Sequence, residues 1–187
     1  MNEKYERIIE VSLKLFNEVG IHNTPTSKIA KEANVATGTL FHHFKTKEDI
    51  INAVYMDSKE SLIGSIQKDL SDNDNLVEAA KKMFLASVRW GVNNPMRFRF
   101  FRTYGNSIFI SNKTKENELA KFDFLLTLIE NGQKQGFFKQ LPAELLFNAL
   151  YGLVTQFMNF FSENPDRISN ENDIENAFTM IWDTLKR

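Results

Sequence analysis

TSKIAKEANVATGTLFHHFKTKEDI, running from Thr26 to Ile50, is the stretch that decides the fold. Ile29, Ala30 and Ala33 mark one face of a short helix over 27–33, and Thr24-Pro25-Thr26-Ser27 before it supplies cap and breaker chemistry. Asn34 tolerates the left-handed backbone of a tight turn because its short side chain bonds locally, and Val35 anchors that turn. Leu40 and Phe44 form an i, i+4 apolar pair, which predicts a second short helix over 37–43. Thr46-Lys47-Glu48-Asp49 then matches a capping box, with Thr46 as N-cap and Asp49 at N3, opening a long helix to about residue 70. Upstream, Ile9, Leu13 and Phe16 recur at helical steps ahead of Gly20, so a supporting helix over 3–19 precedes the pair.

This is the pattern of a helix-turn-helix. A DNA-reading helix needs an apolar underside to fix it and short polar side chains on the other face, because groove contacts require close approach. Leu40 and Phe44 serve the underside, while Thr37, Thr39, His42 and His43 face outward with Lys45 and Lys47 just beyond. Thr and His donate to phosphates or base edges. Lys47 stands at the start of the long helix, where its ammonium and the open backbone N–H groups both favour a phosphate, and Thr26 with Ser27 repeats that arrangement at the preceding helix. His42 and His43 are adjacent, diverge by about 100° on a helix and cannot chelate one ion as i, i+4 partners do, so no metal site is expected.

Beyond the long helix the periodicity stays helical. Ser71 to Asn75 is a polar loop, and a helix over 76–92 stops at Asn93-Asn94-Pro95. Pro95 suits the first turn of a helix over about 95–106, a long helix over 115–135 ends before Gly136, Pro142 opens one reaching 162, and a last one covers 171–185. No stretch alternates apolar and polar residues, so the fold class is all-α with about nine helices.

Composition narrows the function. The 187 residues are 42% hydrophobic and 25% charged, which fits a globular chain rather than a disordered or fibrous one. Cys is absent, removing disulfides, thiolate metal sites and Cys nucleophiles, and a reducing compartment is the default. The start, Met1 to Arg7, is charged on both signs and lacks an apolar signal region; no apolar run nears the ~18 residues of a membrane span, so a cytoplasmic protein with no membrane partner is expected. Residues 1–47 hold seven Lys and Arg against five acids, leaving the first quarter the basic part of a chain with net charge −1. Three His and no nucleotide-binding, nucleophile-elbow or metalloprotease spacing leave no support for an enzyme or a cofactor.

Thr26, Ile29-Ala30, Ala33-Asn34-Val35, Gly38, Leu40-Phe41, His43-Phe44, Lys47 and Ile50, taken together, resemble the TetR family of transcriptional regulators over about residues 5–55. The resemblance implies a homodimer whose two reading helices enter successive major grooves of a palindromic, double-stranded DNA operator, and repression by default. It also implies that Thr26, His43 and Lys47 hold phosphate-contact positions, and that Thr37, Gly38, Thr39 and His42 touch bases or their flanking backbone. Phe41 stands where the family usually has a Tyr that reaches a phosphate, so it contributes packing only. Asn34 replaces the common turn Gly.

Fourteen of the 17 Phe follow residue 47. Aromatics at helical spacing ordinarily build a core; a Phe-lined helical domain also suits an apolar or amphipathic small-molecule effector, and Phe84, Phe98, Phe101, Arg102, Phe122 and Phe157 are the candidates. In Met96-Arg97-Phe98-Arg99-Phe100-Phe101-Arg102 the arginines either face solvent or pair with the effector's polar headgroup. Leu145, Ala149, Gly152 and Gln156 form a stripe whose small residues admit a partner helix, while Leu146, Leu150, Leu153, Phe157 and Phe160 turn inward. Phe178, Ile181, Trp182 and Leu185 on the last helix complete an expected four-helix dimer interface or else cap the monomer core.

The combined expectation is a DNA-binding domain over 1–46 joined through the long helix to a ligand-binding and dimerisation domain over 47–187. An effector favouring one spacing of the two reading heads would release the operator. Two other readings remain: an activator or ligand-independent regulator of the same family, and a helical protein–protein adaptor with a decayed DNA-binding head.

Overall fold

The computed structural model describes residues 3–71, 73–121 and 123–187. Among them lie ten α-helices: α1 Glu3–Val19, α2 Thr26–Glu32, α3 Thr37–His43, α4 Lys47–Asp69, α5 Leu76–Asn93, α6 Pro95–Tyr104, α7 Asn112–Lys121, α8 Asp123–Lys134, α9 Ala143–Glu163 and α10 Glu171–Leu185. A 3-10 helix, Pro165–Ser169, joins the last two, and one isolated bridge pairs Phe138 with Lys186. The all-α class holds. The long helix expected over 115–135 corresponds to α7 and α8, which flank residue 122.

Local chemistry sets most of the ends. Gly20 (φ +82°) and Gly136 (φ +77°) take left-handed backbone just after α1 and α8, and Asn34 (φ +52°) does so in the turn after α2. The capping box of α4 is formed: Asp49 N–H donates to Thr46 Oγ1 at 3.1 Å and Thr46 N–H to Asp49 Oδ2 at 2.9 Å. A second box, not foreseen in the polar loop, opens α5, where Asn75 Oδ1 accepts from Val77 and Glu78 N–H and Glu78 Oε2 accepts from Asn75 N–H, each at 3.0 Å. One cap differs. Pro25 is the N-cap of α2 and supplies no side-chain bond, while the Thr24 hydroxyl donates backward to Gly20 O at 2.8 Å and so closes α1.

The chain forms two compact units, Met1–Ser61 with Pro95–Glu118, and Leu62–Asn94 with Leu119–Arg187. In the first, Ile8, Ile9, Leu13 and Phe16 of α1 are buried with Ile29, Leu40, Ile50, Ile51 and Val54, and α6 adds Phe98, Phe100 and Phe101. Phe16 stacks on Phe100 at 5.9 Å. In the second, Ile63, Ile129, Phe138, Leu146, Phe147 and Leu185 make the buried cluster, α5 packs along α9, and a Cβ on Gly132 would collide with the Phe138 ring.

The last helix packs within the second unit. Phe178, Ile181 and Leu185 are buried within the chain's own unit, and Trp182 packs on Phe138 (5.5 Å) and Phe178 (6.0 Å). The 137–141 connection folds back onto the end of α10: Lys139 N–H donates to Leu185 O at 2.8 Å, and Lys139 Nζ reaches Asp183 O and Thr184 O. On α9 the inward positions are Leu146, Phe147, Met158 and Phe161; Phe160, expected inward, is 37% exposed with the Arg167 guanidinium 5.2 Å over its ring.

Candidate nucleic-acid interface

Two helices of seven residues each, α2 and α3, meet through the left-handed Asn34, whose N–H donates to Lys31 O while Val35 N–H donates to Ala30 O. The turn is short and closed, so α3 is fixed by its underside: Leu40 is fully buried and Phe44 almost so. The opposite face is open. Thr37, Gly38 and His42 are exposed, and Thr39 and His43 are half-buried. Ser27 is exposed and Thr26 half-buried at the start of α2, and Lys47 is half-buried at the start of α4. The outward set expected from the sequence therefore occupies accessible positions on α2, α3 and the first residue of α4.

Gly38 is informative. A Cβ built on it meets nothing within 4 Å, and its backbone is not left-handed. Glycine inside a helix costs about 1 kcal/mol relative to alanine, and nothing within the chain explains that cost. A bare backbone on the outer face of α3 lets an external surface approach closely. Phe41, 39% exposed on the same helix, offers a ring edge but no donor, and Lys45 Nζ folds back to Phe41 O at 3.3 Å.

Tyr5 of α1 was missed by sequence reasoning. Its ring stacks on Phe44 at 5.1 Å and meets the His43 imidazole edge-on at 6.0 Å, and His43 lies 5.5 Å from His42 in a second edge contact. His43 thus has one rigid aromatic wall, supplied from the supporting helix. Burial pushes the Tyr5 phenol above its ordinary range, and the carboxylates of Asp57 and Glu60 add to that shift. The α1 repeat marks Tyr5 only as one turn before Ile9 and does not reveal what it touches.

The candidate effector residues fall into two pairs. Phe98 and Phe101, both buried, meet edge to face at 5.2 Å in the first unit; buried Phe84 meets half-buried Phe157 at 6.0 Å in the second. Phe122 lies outside the described residues. Arg102 is exposed, its guanidinium 5.9 Å over Phe98, and Arg97 pairs with Asp57 of α4. The cation set deepest against these aromatics is one the sequence reading passed over: Lys59 is fully buried, with Nζ 4.4 Å from the Phe101 ring centre and 5.5 Å from that of Tyr55. Of the candidate dimer residues on α9, Leu145 is 57% exposed and Ala149, Gly152 and Gln156 are exposed beside it.

Comparison with known proteins adds a family. Residues 8–54 match the model of bacterial regulatory proteins of the tetR family, and residues 55–186 match that of the tetracyclin repressor-like C-terminal domain. The chain is 36% identical over 69 residues to the fatty acid metabolism regulator protein of Bacillus subtilis strain 168, a match covering 37% of this chain and 36% of that protein. It is 26% identical over 155 residues to the HTH-type transcriptional regulator SAB2452 of Staphylococcus aureus, covering 83% of this chain and 82% of the relative. A tetR-family transcription regulator from Shewanella sp. PV-4 superposes with a TM-score of 0.93 at 30% identity, over 98% of both chains. One from Marinobacter aquaeolei VT8 does so with a TM-score of 0.85 at 22% identity, over 99% of this chain and 97% of that one.

Proposed function

The chain belongs to the tetR family of bacterial transcriptional regulators, a DNA-binding regulator with a helix-turn-helix, and from that premise we propose that it is a homodimeric repressor released from a palindromic operator by a small, largely apolar effector. Residues 1–46 read the DNA, and residues 47–187 bind the effector and the second subunit. Thr26, Ser27, His43 and Lys47 hold phosphates; Thr37, Gly38, Thr39 and His42 approach the bases. The observation that carries the reading is the outer face of α3, where a glycine with no internal role sits among short polar side chains over a buried Leu40.

The two reading heads then engage half-sites about 34–36 Å apart, one helical turn of DNA. An effector that binds better to a different separation shifts the population away from the DNA-competent state by no more than its differential affinity. Phe84 and Phe157 in the second unit, and separately Phe98, Phe101 and Arg102 in the first, are the residues we assign to effector recognition. The exposed stripe of Leu145, Ala149, Gly152 and Gln156 on α9 is the surface we assign to the second subunit; Met180 of α10, 59% exposed, replaces that helix's buried residues in the assignment. The B. subtilis relative bears the name of a fatty acid metabolism regulator, so dodecanoate, an amphipathic chain, is the first effector probe.

The test is recovery of fragments bound by the purified protein from sheared genomic DNA at near-physiological salt, followed by sequencing. A recurring palindrome upstream of a few genes, released by dodecanoate or by a product of those genes, supports the reading. No enrichment above a Lys47→Ala control removes it. Sedimentation showing a monomer at micromolar concentration removes the dimer.

A further inference from the structure

The loop between α6 and α7, residues 105–111, belongs to the same compact unit as the helix-turn-helix. Its tip does not hold it there, since Ile108 is 95% exposed. The Asn52 carboxamide does. Its Nδ2 donates both to Glu48 O at 2.7 Å, in the first turn of α4, and to Phe109 O at 3.0 Å, while its Oδ1 accepts from Ser111 N–H at 3.0 Å. Every donor and acceptor direction needed for these three bonds is used, which fixes the amide's orientation as well as its place.

Ser111 caps α7 in turn. Its hydroxyl accepts from Thr114 N–H at 3.1 Å and shares a 2.8 Å hydrogen bond with Thr114 Oγ1, and Thr114 is buried. His22 meets the Phe109 ring edge-on at 5.1 Å, so the loop is also seated against the segment after α1. One side chain therefore joins the turn of α4 that follows Lys47 to the cap of a helix sixty residues later in the chain.

We propose that Asn52 is a positioning residue for DNA binding, making the start of α4 and the 109–114 segment a single linked element. The proposal rests on the reading that Lys47 and the first turn of α4 meet the duplex. If DNA contact orders that turn, it must order 109–114 through Asn52, and by linkage a disordered 109–114 must weaken DNA binding.

The probe is the duplex fragment most enriched from sheared genomic DNA, with hydrogen exchange followed by mass spectrometry on the full chain. In the native protein that fragment should slow exchange in the peptide covering 109–114. Asn52→Ala should abolish this protection and lower fragment affinity about fivefold or more. Asn17→Ala is the control: it breaks another bond of the same kind, from Asn17 Nδ2 to Met96 O in the same unit, without touching α4, and should change neither readout. Unaltered exchange of 109–114 in the native protein on adding DNA overturns the proposal without any variant, and so does an equal loss of affinity from Asn17→Ala. Native affinity in Asn52→Ala alongside weakened Lys47→Ala also overturns it and leaves the contact reading standing. If Lys47→Ala binds like the native protein too, the contact reading itself fails.

Discussion

Tyr5, in the first turn of the supporting helix, stacks on Phe44, the residue that ends the reading helix, at 5.1 Å with 29° between ring planes. The same ring walls the His43 imidazole. The end of α3 is therefore set from thirty-nine positions upstream, and the consequence is measurable.

Tyr5→Ala removes a half-buried aromatic pair and frees the His43 ring, so it should cost about 1 kcal/mol or more of stability and weaken operator and non-operator DNA alike. Tyr5→Phe keeps both ring contacts and should bind as the native protein does. The phenol also has a pH signature. Its folded value lies above the ordinary 10.0, so the associated stability is fully present below that value and is lost as pH rises through the folded one. Alkaline unfolding followed by circular dichroism should lose that component in Tyr5→Phe.

Gly38→Ala should separate folding from function. With nothing near the new methyl group inside the chain, the helix gains about 0.5–1 kcal/mol, raising the thermal midpoint. On DNA the methyl stands where we place the bases, and operator affinity should fall. A variant both more stable and fully competent on DNA would argue that this face of α3 is not in close contact.

Lys47→Ala should weaken every sequence similarly and lower the slope of log affinity against log salt by about 1. Thr39→Ala should instead blur preference at particular base pairs, at about 1–3 kcal/mol for the affected position. Fluorescence anisotropy on operator and shuffled duplexes at several salt concentrations distinguishes the two patterns.

Asp74 offers an acid test. Its Oδ1 accepts from Lys82 Nζ at 2.6 Å and its Oδ2 from Ser71 N–H at 2.8 Å, and these bonds, the lysine's first, hold its pKa below the ordinary 3.8. The stabilisation is present above that ordinary value and disappears as pH falls through the lower folded one. Asp74→Asn should be less stable than the native chain at neutral pH, and urea midpoints of the two should converge in acid.

Gly132→Ala should be among the more damaging small substitutions in the second unit. The added methyl would collide with the Phe138 ring, which is itself buried against Trp182. Overpacking of this kind costs about 1–3 kcal/mol, read as a lower urea midpoint, with DNA affinity per folded molecule unchanged.

Where the chemistry is local, the fold was legible. Gly20, Asn34 and the Thr46–Asp49 box end or open their helices through bonds reaching five residues at most, and Leu40 with Phe44 names the buried side of α3 by spacing alone. Thr24 shows the limit of this reading. A hydroxyl before a helix can cap forward or close the helix behind it, and here it donates to Gly20 O.

The sequence by itself determined an all-α chain and the helix-turn-helix near its start, because these rest on periodicity and on caps that neighbours in the chain complete; the family entered as a resemblance of the residues over about 5–55. Tertiary structure alone decided that Tyr5 walls His43, that Asn52 reaches Ser111 and that Asp57 meets Arg97. It also decided that Phe178, Ile181 and Leu185 are buried by their own chain. An apolar stripe gains about the same free energy per unit area whichever surface covers it, so its pattern states that a cover exists and only the folded chain shows which one.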